Sequence, residues 1–102
     1  MAVRVCTVVP GTTLVIPVGE ADFWNRPVLQ RALDGVIVPD CGRVIVDLDG
    51  VTFMDASILG LLVDARHRVA AAGGRLLVTC RIRVGRRVLE AAGLMSLLDA
   101  PV

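Results

Sequence analysis

The residues best placed for chemistry are Val51-Thr52-Phe53-Met54-Asp55-Ala56-Ser57, which connect an apolar run to an amphipathic one. In open α/β sheets, ligands gather beyond the carboxyl ends of strands, where a helix begins. The unpaired amides and positive dipole end of such a helix stabilise an anion, or a side chain made anionic, near Asp55 to Ile58. The same residues have a plainer use, in which Asp55 or Ser57 caps the helix by accepting its orphan amide protons.

Other constellations carry less. Asp47, Asp49 and Asp55 would form a carboxylate set for Mg²⁺, but no glycine-rich phosphate cradle or Walker motif accompanies them, and solvated loop acids are the expectation. Ser57 and His67 lie ten residues apart on one predicted helix, about 15 Å by helical rise, so they cannot share a hydrogen bond in a triad. Cys80 ends a predicted strand, where a buried apolar thiol is the commoner outcome than a nucleophile. The run Arg81, Arg83, Arg86 and Arg87 is either a solvated surface or a contact for an acidic partner or phosphate groups. Phe23 and Trp24 are either an interface anchor or a core plug beside the first helix.

Composition narrows the classes. Eleven arginines balance ten acids to a net charge of +1, which lacks the strongly basic footprint of a nucleic-acid binder. With no lysine and no tyrosine, Schiff-base, ammonium and phenol chemistry are excluded. Cys6, Cys41 and Cys80 form no C-x-x-C pair, and His67 is the single imidazole, so neither a metal nor a cofactor is expected. Reduced thiols and the absence of a 20-residue apolar span or a signal-peptide core predict a soluble, cytoplasmic protein with no membrane insertion. At 55% hydrophobic, residues 1–102 are expected to fold as one domain around a real core.

The elements that must position the loop follow from periodicity. Val3 to Val8 and Leu14 to Val18, joined by Pro10-Gly11-Thr12-Thr13, predict an amino-terminal β-hairpin. Pro17 places the second strand at an edge, at a bulge or near its end, close to Gly19. Leu29, Leu33 and Val36 predict a helix over about 25 to 37, with Asp22 or Asn25 as cap and Pro27 in its first turn. Arg43 to Leu48 reads as a central strand covered on both faces, and Asp49 to Met54 as a loop. Ile58, Leu61, Leu62, Ala65, Val69 and Ala72 fall on one helical stripe that Gly73-Gly74 ends. Arg75 to Cys80 is a further strand, and Gly85 to Ala92 a short helix stopped by Gly93 with Leu94. The order ββαβαβα predicts an α/β domain: a mixed, mainly parallel sheet with an antiparallel hairpin at its edge and helices packed on it.

The segments Gly19-Glu20-Ala21-Asp22, Val44-Ile45-Val46-Asp47-Leu48, Val51 to Ser57, Gly73-Gly74 and Leu89-Glu90-Ala91-Ala92-Gly93-Leu94, in this order, resemble STAS domains of the bacterial anti-sigma factor antagonist type. Most diagnostic is an apolar strand followed by an F-[ILM]-D-S-[ST]-G-L loop and an apolar helix. The resemblance implies a STAS-like fold and a protein that is not an enzyme. It would bind an anti-sigma factor, a serine kinase of the GHKL type, and so release a sigma factor. The implied partner surface is Asp22, Asp55, Ala56, Ser57, Ile58 and Leu59. The family's switch is phosphorylation of the serine after the motif aspartate, which sets about −1.5 to −2 charge in the docking surface. This chain has Ala56 there, which no kinase can modify, and Ser57 is the substitute acceptor to test. Ile58 replaces the motif glycine and is expected to add a β-branched side chain to that surface. The carboxy terminus looks shortened relative to the family, so that a partner or a second copy, as in a homodimer, would cover what is left exposed. The alternative implied by the breadth of the family is a ligand-binding or adaptor module of a transporter ATPase or another signalling partner.

Overall fold

A computed structural model describes residues 1–80, in which five strands and two helices follow in the order β1 (Ala2–Val9), β2 (Thr12–Ala21), α1 (Arg26–Val36), β3 (Arg43–Asp47), β4 (Val51–Met54), α2 (Ala56–Ala71) and β5 (Arg75–Thr79). The expected helix over 85–92, the arginine run of 81–87 and the shortened carboxy terminus lie outside the described residues.

The strands form one mixed sheet in the order β1-β2-β3-β5, with β4 attached to the far part of β2. The hairpin β1–β2 is antiparallel and turns at Gly11, whose φ of +81° suits a residue without a Cβ. All other pairings are parallel. β2 is longer than expected, because it changes partner along its length. Thr12 to Val15 pair with β3, whereas Gly19 to Ala21 pair with β4. Pro17 falls in the gap between these two ladders, where its missing N–H leaves no rung empty on that side. The expected loop of 49–54 is thus corrected: Val51–Met54 is a short strand, recruited because the end of β2 offers a free edge beside it.

β3 lies between β2 and β5, as a central strand should. Its burial alternates, with Val44 and Val46 fully buried and Ile45 and Asp47 partly so, instead of the expected cover on both faces. Register explains the alternation. Val15, Val46 and Val78 line up across three strands, and Val44 lies beside Leu76, all within one core cluster. Leu29 and Leu33 of α1 and Ile58, Leu61, Leu62, Ala65 and Val69 of α2 belong to the same cluster, so both helices pack on this face. Each such Val, Leu or Ile side chain contributes about 1.5–3 kcal/mol by leaving water.

α1 begins after Asn25, with Pro27 in its first turn, and closes when the Ile37 N–H donates to Leu33 O at 2.9 Å, shortly before Pro39. α2 ends at Ala71 with Ala72 as its C-cap, and Gly73 follows in the left-handed region at φ +85°. Gly74 follows for a different reason. Its Arg75 neighbour donates to Gly42 O at 2.9 Å, and a Cβ on Gly74 would run into that same carbonyl. The chain crossing from α2 to β5 therefore packs backbone against backbone.

Candidate functional site

Asp55 sits between β4 and α2 in extended conformation (φ −106°, ψ 177°), the geometry of an N-cap. Its backbone is held first, because its N–H donates to Ala21 O at 3.2 Å at the end of β2. Its side chain then works in two directions. Oδ1 accepts the Ser57 amide at 3.0 Å and the Ser57 hydroxyl, while Oδ2 accepts the Phe23 amide at 2.9 Å. The carboxylate thus caps α2 and also ties it to the β2–α1 connection, 32 residues earlier. These donors hold the Asp55 carboxyl below its ordinary range. The Ser57 hydroxyl contributes most; desolvation opposes it, and the Phe23, Ser57 and Ile58 amides assist.

The β2–α1 connection is fixed by its own bonds. Asp22 Oδ1 accepts the Asn25 amide at 2.9 Å, and the Asn25 side-chain amide donates to Glu20 O at 3.1 Å. Asn25 itself makes no side-chain cap of α1, so of the two candidates Asp22 supplies the turn. With the connection braced at both ends, Phe23 and Trp24 point outward, 61% and 85% exposed, as an edge-to-face pair with centroids 5.9 Å apart. That settles the choice left by the sequence: they are not a core plug.

The structure brings Asp22, Asp55, Ala56 and Ser57 together at one end of the sheet. Ala56 is exposed in the first turn of α2, Ser57 is half-buried with its hydroxyl engaged by Asp55, and Leu59 is half-buried against the core. Ile58 departs from expectation. It is completely buried in the core cluster, so it adds nothing to the surface and is withdrawn from the partner-facing set. The reason is helical phase, since position 58 shares its face with Leu61, Leu62 and Ala65. Phe53 was missed. It is 54% exposed on β4, in register with Glu20 of β2, and a strand over 51–54 was the signal that would have set its direction.

Other candidates for chemistry do not assemble. Ser57 and His67 both lie within α2, which keeps them apart along the helix. Cys80 is 3% exposed. Asp47 Oδ1 accepts the Asp49 amide at 2.9 Å in a local turn, and among the described residues no three His, Cys, Asp or Glu groups converge as metal ligands. No described helix is long and apolar enough to cross a membrane.

A hairpin-led mixed sheet, two helices on one face and an aspartate-capped second helix define a mixed α/β domain whose exposed features cluster at one end of β2 and β4. The chain belongs to the STAS domain family, whose model matches residues 4–101. No curated protein sequence matches it. Among solved structures it is similar to an anti-sigma factor antagonist from Mycobacterium paratuberculosis, at 24% identity and a TM-score of 0.83, covering 96% of this chain and 82% of the other. It is also similar to the anti-sigma factor antagonist SpoIIAA in its unphosphorylated form, at 20% identity and TM-score 0.82, covering 99% and 89%. The phosphorylated form of the Bacillus SpoIIAA superposes with TM-score 0.76, at 20% identity and covering 99% and 92%.

Proposed function

We propose that this chain is a non-enzymatic, cytoplasmic antagonist of an anti-sigma factor of the GHKL serine-kinase type, and that it docks through Asp22, Asp55, Ala56, Ser57 and Leu59. Binding there would release the sigma factor that the kinase otherwise holds. The reading further takes the chain as insensitive to the kinase it binds.

The observation that carries this reading is the arrangement at the start of α2. Ala56 stands exposed at the first helical position with no hydroxyl to accept phosphate, and the next residue's hydroxyl is spent on the Asp55 carboxylate. A phosphate on Ser57 would lose that bond and set about two negative charges beside an ionised carboxyl, an unfavourable placement. SpoIIAA exists in phosphorylated and unphosphorylated forms. This chain would remain in the unmodified, binding-competent state whatever the ATP supply.

The test incubates the protein with each purified anti-sigma kinase domain of its source organism, with ADP or with ATP, followed by gel filtration and a phosphate-affinity gel. Co-elution with one kinase under both nucleotides, with no phosphorylated band, is expected. Stoichiometric phosphate on Ser57, or no complex with any kinase, overturns the proposal.

A further inference from the structure

The chain holds three aromatic residues, and none of them is in the core. Phe23 and Trp24, in the β2–α1 connection, are 61% and 85% exposed, and Phe53, on β4 two residues before Asp55, is 54% exposed. Aromatic rings ordinarily supply the largest single portions of buried area in a fold, so leaving all three in water forgoes stabilisation that the core could have used. Val28, in the first turn of α1 and four residues after Trp24, is a further exposed apolar residue. The carboxylates beside the aromatic residues are Glu20, in register with Phe53, Asp22, at the turn that carries Phe23, and Asp55. The ion pairs of Arg68 go to Asp34 and Asp64, not to any of these three carboxylates.

We infer that Trp24 is the anchor of the docking surface, and that it enters an apolar pocket on the anti-sigma factor whose rim is lined with arginine or lysine. The inference rests on the antagonist reading above and adds the residue that carries the affinity and the chemistry of the surface it meets. Charge complementarity selects this occupant. The patch is apolar at its centre and carboxylate-edged, so the matching surface is apolar at its centre and basic at its edge. Rigidity of the backbone selects the anchor, because the turn bond of Asp22 and the Asp55–Phe23 bond hold the connection on either side of Trp24 before any partner arrives, which lowers the ordering cost of binding.

Trp24 is the single tryptophan and there is no tyrosine, so 5-fluorotryptophan incorporation marks this one site. The labelled protein is titrated with the purified kinase domains while affinity is measured for wild type, Trp24→Ala, Glu20→Gln and Val38→Ala. Val38 is 48% exposed in the α1–β3 connection and serves as an exposed apolar control outside the patch. The expected results are a shifted ¹⁹F resonance in the complex and an affinity loss of about 30-fold or more for Trp24→Ala. Glu20→Gln is expected to slow association and flatten its salt dependence, and Val38→Ala to bind as wild type. Trp24→Ala binding within threefold of wild type overturns the anchor while the antagonist reading stands. An unchanged salt dependence for Glu20→Gln overturns the basic rim. Failure of every kinase to bind wild type removes the reading and the inference with it. A ¹⁹F shift that follows protein concentration with no kinase present assigns the patch to a second copy and overturns the chosen partner.

Discussion

The carboxylate of Asp55 bonds the backbone amide of Phe23, from the opposite side of α1 in the chain, at 2.9 Å while its other oxygen caps α2. One residue therefore sets both the start of a helix and the direction of an exposed aromatic pair. The local motif and the partner-facing loop are mechanically one unit.

That bond network makes stability depend on pH in a defined sense. The Asp55 carboxyl is held below its usual range, chiefly by the Ser57 hydroxyl. A lowered folded-state pKa contributes stability that is fully present above the unfolded value of about 3.9 and is lost as pH falls through the folded value. The stability gap between wild type and Asp55→Asn, from urea midpoints at several pH values, is expected to be flat above about pH 5 and to shrink below about pH 4. In Ser57→Ala the Asp55 pKa, followed by carboxyl NMR, moves up toward the ordinary value. No movement would show that Ser57 is not the main cause.

Restoring the two missing motif residues is expected to have opposite consequences. Ala56→Ser adds a hydroxyl at an exposed first-turn position and leaves stability within about 0.5 kcal/mol. Under the proposed function it also creates a phosphate acceptor, read as a shifted band with kinase and ATP. Ile58→Gly empties a fully buried site. Truncation to alanine there is worth about 2–5 kcal/mol, and glycine in a helix about 1 kcal/mol more. A urea midpoint for Ile58→Gly near that of wild type would contradict the burial.

Two helix-associated glycines separate by surroundings. Gly60, inside α2, has open space around its would-be Cβ, so Gly60→Ala is expected to raise stability by about 0.4–1 kcal/mol. At Gly74 the same change drives a methyl into the Gly42 carbonyl and lowers the melting temperature. Calorimetry on both variants checks the contrast, and a stabilised Gly74→Ala would refute the close approach of the α2–β5 connection to Gly42 in the α1–β3 connection.

α1 and α2 are also joined by Arg68 and Asp34, whose Nη1 and Oδ1 are 2.7 Å apart, with Asp64 at 3.9 Å from the same nitrogen. The side chains of Arg68 and Asp34 are 39% and 46% exposed, so solvent screens the pair. A double-mutant cycle with Arg68→Ala and Asp34→Ala is expected to give a coupling of about 0.2–1 kcal/mol that falls further in 1 M NaCl. A coupling well above that range would mean the pair is far less solvated than its exposure indicates.

What the amino-acid sequence determined by itself were the features written in short-range spacing. The stripe from Ile58 to Val69 specified α2 and its buried face, and Asp55 ahead of it specified a cap. The hairpin was set by alternation, β3 and β5 by short apolar, β-branched runs, and Gly73 as helix stop by backbone freedom, all of which read within a few residues. The missing hydroxyl at Ala56 needs no structure at all. Tertiary structure decided whatever depends on the register of segments far apart in the chain. β4 exists because the end of β2 lends it an edge, and four residues alone carry too little pattern to announce a strand. Phe23 and Trp24 face water in a turn whose Phe23 amide Asp55 holds, a bond no local spacing encodes. At Ile58 two sequence signals disagreed, the stripe placing it inward and the motif placing it on the docking surface, and the packing of α2 on the sheet sided with the stripe while leaving Ala56 outward.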